Sequence, residues 1–189
     1  MKEILSLKVT LNATNPAIFR IVHVPSSVTF FDLHHILQIS MGWKTSHLFE
    51  FIVGIHRIGY VNPVQAFEDL VDANEVTLNL LLPDQGLVFT YLYDFGDGWE
   101  HTVEIENLIE REPGKIYPVC VRGQLRCPPE DSGGVVGYYE KLGVLKDKNH
   151  PNHELIKNWM GPGYKPEEFD LEKVNAELPN FKSYMKHWD

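Results

Sequence analysis

Little in this chain suits an oxidising compartment or a lipid bilayer. It carries two cysteines in 189 residues, too few for the disulfide framework on which small secreted folds depend. No apolar run approaches the roughly 20 residues that a membrane-spanning helix needs. The start, Met1-Lys2-Glu3-Ile4, passes directly into alternating apolar and polar residues. The basic stretch and the ~7–15 apolar residues of a secretory signal are missing there. These absences lead us to expect a soluble cytoplasmic protein with no membrane association. Basic runs are missing too. Seventeen Lys and Arg are scattered among 26 Asp and Glu, for a net charge of −9 and a pI near 5.4. Duplex DNA binding draws much of its affinity from clustered basic residues that release phosphate counterions, so the charge pattern argues against nucleic acid as a partner.

What is present suffices for a packed core. The chain is 43% hydrophobic and 23% charged, and at this size folding hides about 70% of the surface of the extended chain. Without repeats, low-complexity tracts or an evident linker, residues 1–189 read as one domain. Alternation predicts strands over residues 4–11 and 17–24. Thr29 is an N-cap for a helix through Ser40, with Phe30, Leu33, Leu37 and Met41 at helical spacing and Gly42 as its stop. Strands follow at 48–53 and 55–60, joined at Gly54. Residues 62–75 read as irregular, and 76–82 as a short helix or strand. Two strand-like runs, 87–93 and 101–109, flank Asp94-Phe95-Gly96-Asp97-Gly98-Trp99, where Asp-Gly is a strong hairpin cue. Residues 111–137 read as an ordered loop, and helices are expected near 137–146, 153–160 and 170–177. The expectation is an α+β fold, with an N-terminal helix and C-terminal helices packed on a mostly antiparallel sheet.

Several segments, taken in order, resemble the plasmid pRiA4b open-reading-frame-three-like family. They are Pro16-Ala17-Ile18-Phe19-Arg20, Val24-Pro25, Leu33-His34, Gly42-Trp43 and Ser46-His47-Leu48. The most specific is Tyr91-Leu92-Tyr93-Asp94-Phe95-Gly96-Asp97-Gly98-Trp99-Glu100-His101. It is followed by Tyr117-Pro118-Val119-Cys120, Gly123, Cys127-Pro128-Pro129-Glu130-Asp131-Ser132-Gly133-Gly134 and Gly137-Tyr138. The resemblance covers residues 4–175 and implies a group without an established activity. Labels on some members link them to plasmids and insertion elements.

Each motif has a functional and a structural reading. Asp94, Asp97, Glu100 and His101 gather carboxylates and an imidazole at one hairpin tip, where a divalent metal could find two or three oxygen ligands. Alternatively, Asp94 caps the turn as an Asx residue, Gly96 and Gly98 supply positive φ, and Trp99 anchors the hairpin. Cys120 and Cys127 are metal-ligand candidates if they borrow His101, or His150 and His153, and are otherwise inert buried thiols. In the segment Pro128–Gly134, Glu130 and Asp131 form an acid/base or metal-binding pair, or else Asp131 or Ser132 caps the helix that follows. Arg20 shares a strand face with Ile18 and Val22 and wants a carboxylate, for which Asp94 and Glu130 are candidates. His34 is expected to be a hydrogen-bonded core histidine. Trp43 and His47, beyond the helix stop, are placed at a pocket rim.

Three functions follow. The first is a binding or interaction protein for a small molecule or protein, with a polar-aromatic cleft between the 91–101 hairpin and the 117–138 loop. Arg20, Trp43, His47, Tyr93, Trp99 and Tyr138 are its candidate lining. The second is a metal-dependent hydrolase of phosphodiesterase type, with Asp94, Asp97, Glu130 and Asp131 as ligands and His101 as general base. The third, a DNA-recombination accessory role, is implied only by the labels on relatives. All three need the hairpin tip and the proline-stiffened acidic loop to share one hollow.

Overall fold

The computed structural model describes residues 2–61, 69–81 and 86–184. Its centre is one eight-stranded sheet. The strands are β1 (Lys2–Leu11), β2 (Ile18–Pro25), β3 (Phe49–Val53), β4 (His56–Gly59), β5 (Leu70–Asp72), β6 (Val88–Tyr93), β7 (Trp99–Glu110) and β8 (Val119–Gln124). They are ordered β5-β4-β3-β6-β7-β1-β2-β8. All neighbours are antiparallel except β4 and β5. The helices are α1 (Phe30–Met41), α2 (Gly134–Lys146), α3 (His153–Met160) and α4 (Leu171–Glu177), and α4 runs on into a 3₁₀ segment, Leu178–Tyr184. No helix among the described residues is long and apolar enough to cross a membrane.

Period-two alternation decides the faces. In β2, Ile18, Arg20, Val22 and Val24 point inward, and in β7 so do Trp99, His101, Val103 and Ile105. Helix α1 lies against this layer and is covered in turn by Leu178–Tyr184 and the end of α4. All twelve of its residues are buried, polar ones included. Its start and stop are local chemistry. The Thr29 hydroxyl accepts from Asp32 N–H at 3.0 Å, and the Asp32 carboxylate accepts from Thr29 N–H at 3.3 Å. Gly42, at φ 87°, closes the other end.

Two expectations change. Residues 70–72 form a parallel edge strand, and the expected loop 111–137 contains β8, which pairs with β2. Gly123 of β8 explains the weak strand signal there. A Cβ at Gly123 would lie 2.3 Å from the Phe169 ring, so a distant aromatic fixes the residue type. The rest of the irregular stretch, 62–68, lies outside the described residues.

Some polar residues of the core pair with one another, while His34 Nε2, His35 Nε2 and His101 Nε2 are buried without a hydrogen-bond partner among the described residues. Gln38 Nε2–H donates to the Tyr91 hydroxyl at 2.9 Å, and that hydroxyl is hydrogen-bonded to His34 Nδ1 at 2.8 Å. His34 is thus the hydrogen-bonded core histidine its spacing predicts. Arg20, 1% exposed, departs from expectation: no carboxylate pairs with it among the described residues. Its guanidinium donates to Ser40 O, Phe19 O, Gln124 O and Leu125 O at 2.7–3.0 Å and stacks 3.8 Å from the Phe169 ring centroid. Backbone carbonyls replace the expected Asp94 or Glu130. The contact with Ser40 also puts a cation at the C-terminus of α1, where the helix dipole favours it.

Arg20→Lys should therefore cost about 2–4 kcal/mol in urea unfolding, since an ammonium cannot span carbonyls on three segments. A loss of under ~1 kcal/mol would contradict this role. Burial also holds His34 well below its ordinary pKa, lowers His35, and brings His101 down to about 4. The unfolded chain binds these protons more tightly than the folded one. Stability is then full above the unfolded value of 6.5 and falls as pH drops towards 4. His101 alone accounts for about 3 kcal/mol of that loss. A urea midpoint that stayed flat from pH 7 to 4.5 would contradict it.

Candidate functional site

Three segments meet at one end of the sheet: residues 42–47 after α1, the β6–β7 turn, and residues 127–134 before α2. The Tyr93 hydroxyl joins them. It accepts from the backbone N–H groups of Ser46 and His47 at 3.0 and 3.3 Å and donates to Glu130 Oε1 at 2.5 Å. Burial first, and then the Glu130 carboxylate, raise the Tyr93 pKa well above its ordinary value, so the proton stays on the phenol. Glu130 Oε2 accepts from Lys44 N–H at 3.2 Å, and the Trp43 indole N–H donates to Pro128 O at 2.8 Å. Trp43 also stacks on Tyr93, with ring centroids 5.2 Å apart.

A second seam lies at the hairpin tip. Asp94 is in the left-handed region at φ 57°, and its Oδ1 accepts from Gly96 and Asp97 N–H at 3.0 and 3.3 Å. This is the expected Asx turn, with Asp94 and Gly98 rather than Gly96 supplying the positive φ. Asp97 Oδ2 then accepts from Gly133 N–H at 3.0 Å. The glycines of the loop follow from this contact. A Cβ at Gly134 would lie 2.5 Å from Asp97 O, and one at Gly137 would lie 2.2 Å from Ser132 O. Gly133 occupies the N-cap of α2 without a side-chain cap, and Ser132 donates instead to Pro129 O. Gly134 is thus spent on close backbone approach and Gly133 on the left-handed φ of 78° at the N-cap, and neither Asp131 nor Ser132 caps the helix.

Beside these seams, His47, Asp94 and Asp131 converge. His47 Nε2 lies 3.6 Å from Asp94 Oδ2 and 3.3 Å from Asp131 Oδ1, yet it makes no hydrogen bond and is shut off from solvent. All three ligand atoms fall within 4.8 Å of one another, and this is the one such His/Cys/Asp/Glu group among the described residues. Asp131 is largely exposed, whereas the Asp94 side chain is 10% exposed.

The other candidates lie elsewhere. His101 is fully buried, with Nδ1 3.2 Å from Tyr91 O and its ring against Trp43, so it does not face the hollow as a general base would. Its place between Trp99 and Val103 on the inward face of β7 was the available sequence signal. Trp99 is buried as the hairpin anchor, and Tyr138 is buried against Tyr164, 3.2 Å between hydroxyls. Arg20 is held in the core by the carbonyls already described. Neither cysteine belongs to the three-residue group. Burial pushes the Cys120 thiol up to about 11 and raises that of Cys127, which leaves both protonated and inert at neutral pH. His153 lies instead at the α2–α3 corner, with Nδ1 3.2 Å from Val144 O.

Gly134→Ala should lower stability by about 2 kcal/mol or more, through the left-handed φ and the clash with Asp97 O. Gly143, inside the same helix with nothing near its Cβ position, is the control, and Gly143→Ala should stabilise by up to ~1 kcal/mol. Chemical unfolding of the two proteins checks both, and equal effects would mean that the loop does not depend on the close approach.

Comparison with known proteins places this architecture among relatives. The family model described as Plasmid pRiA4b ORF-3-like protein matches residues 3–173. Uncharacterized protein y4hQ of Sinorhizobium fredii (strain NBRC 101917 / NGR234) is 39% identical over 161 residues, covering 84% of this chain and 81% of the relative. The crystal structure of Protein of Unknown Function MM3350 from Methanosarcina mazei Go1 is similar at a TM-score of 0.83 and 36% identity, covering 91% of this chain and 97% of that one. The hairpin tip and the acidic loop that meet in this fold both fall within the matched span, and the chain belongs to the plasmid pRiA4b ORF-3-like family.

Proposed function

We propose that this chain is a binding protein that takes a small molecule or a protein segment where the 91–101 hairpin meets the 117–138 segment. The observation that carries the reading is the concentration of acidic groups around that junction: Asp94, Asp97, Glu100 and Asp131 all lie at or beside it. Two of them, Asp97 and Glu100, border a groove of about 330 Å³ that also takes in Asn12, Gly98, Gly133 and Val136. That volume is at the small end of ligand sites, which run from about 300 to 1,000 Å³. Carboxylates on a chain of net charge −9 favour a ligand that presents a positive group, and they disfavour phosphates. The cytoplasmic setting expected from the sequence is compatible with such a ligand.

A metal-dependent hydrolase, of phosphodiesterase type, is the second reading. The convergence of His47, Asp94 and Asp131 favours it. The base it would need is not His101, whose imidazole is enclosed by Tyr91 and Trp43.

The two readings separate in a thermal-shift series on the full chain. Compounds with amine or guanidinium groups should raise the melting temperature, by the equivalent of about 2.7 kcal/mol at 100-fold over Kd. Val136, 72% exposed, can be replaced without disturbing the core, and Val136→Arg should remove the response. A response equal for anionic compounds, or unchanged by Val136→Arg, would refute the binding reading.

A further inference from the structure

We propose that His47 Nε2, Asp94 Oδ2 and Asp131 Oδ1 form a binding site for a divalent transition-metal ion of the zinc class. The inference rests on the seam between hairpin and loop described above, but not on the neighbouring groove.

Geometry is the first argument. Bonds of about 2.0–2.1 Å to nitrogen and oxygen place tetrahedral ligand atoms ~3.3–3.4 Å apart. The nitrogen-to-oxygen distances here are 3.3 and 3.6 Å. Those two spacings match a shared ion, and the third, between the carboxylate oxygens, lies within 4.8 Å.

Unmet polar demand is the second. His47 Nε2 is inaccessible to water and has no hydrogen-bond partner, although two carboxylate oxygens lie close by. The Asp94 side chain is nine-tenths buried. Its Oδ1 is committed to Gly96 and Asp97, while Oδ2 accepts no hydrogen bond among the described residues and faces the imidazole. A buried polar atom left unpaired costs about 1–3 kcal/mol. A cation at their common centre would satisfy all three ligand atoms together.

Donor chemistry selects the ion. One imidazole and two carboxylates suit zinc or manganese better than calcium or magnesium, which prefer oxygen donors alone, and the Irving–Williams order puts zinc above manganese. Three protein ligands leave a fourth position open for water or a ligand atom, as in sites where the ion acts chemically and not as a structural staple. The backbone that carries two of the ligands is also fixed. The His47 backbone N–H is tied to Tyr93, and Glu130, next to Asp131, is held by the same hydroxyl.

Isothermal titration of the untagged, metal-stripped full chain with Zn²⁺ tests the site. One equivalent should bind, Mn²⁺ more weakly, and Mg²⁺ and Ca²⁺ not measurably. Asp131→Ala, at an exposed position whose left-handed φ of 60° makes the change mildly destabilising, should weaken Zn²⁺ at least tenfold, and His47→Ala at least as much. The Cys120→Ser/Cys127→Ser protein should bind as the parent does, and the Co²⁺-loaded chain should lack a thiolate charge-transfer band. The Val136→Arg chain, altered in the groove and not at the three ligands, should bind Zn²⁺ as the parent does, which separates loss of the groove ligand from loss of the metal. Absence of Zn²⁺ binding by the parent chain, or undiminished binding by Asp131→Ala, would overturn the proposal.

Discussion

The Tyr93 hydroxyl sits where three otherwise independent segments meet. It takes two backbone N–H bonds from the turn after α1 and gives its proton to Glu130 in the loop before α2. Tyr93 itself is rigid, as the last residue of β6, fully buried and stacked on Trp43. A hydrogen bond to an ionised acceptor is roughly twice as strong as a neutral one. Here it orients the backbone that carries His47 and the loop that carries Asp131. If that oxygen were lost, Lys44 N–H and the Trp43 indole would remain as direct ties from the 42–47 turn to the acidic loop.

The hairpin-to-loop seam adds a constraint of shape. Asp97 can accept from Gly133 only because Gly134 has no Cβ to strike the Asp97 carbonyl. The two prolines and two glycines of the loop therefore act together: the prolines restrict the approach of the chain, Gly133 supplies a left-handed φ, and Gly134 permits contact on arrival. What results is a rigid acidic corner on a buried scaffold. This is the usual arrangement for a binding site, in which loops carry the reactive groups and a sheet fixes their positions.

Features written in local chemistry were legible in the sequence. Thr29 and Asp32 stand three apart and cap each other, Gly42 ends the same helix, and the aspartate turn closes between two alternating strands. Features set by distant partners were not. Nothing near Gly123 announces β8, because the reason for that glycine is Phe169. The inward face of β2 suggested a carboxylate for Arg20, whereas backbone carbonyls at Ser40, Gln124 and Leu125 take that place. Motif proximity linked His101 to the acidic groups, while strand alternation buries it. His47 comes to Asp94 and Asp131 through a turn whose direction depends on Tyr93, a relation that no local spacing encodes.

The central claim is that Tyr93 and Glu130 hold the corner together as a pair. The direct measurement is a double-mutant cycle in urea unfolding with Tyr93→Phe, Glu130→Gln and the combination. The account predicts a coupling energy of about 1–3 kcal/mol between the two positions. Effects additive to within ~0.5 kcal/mol would show that the two residues act independently, and would contradict it.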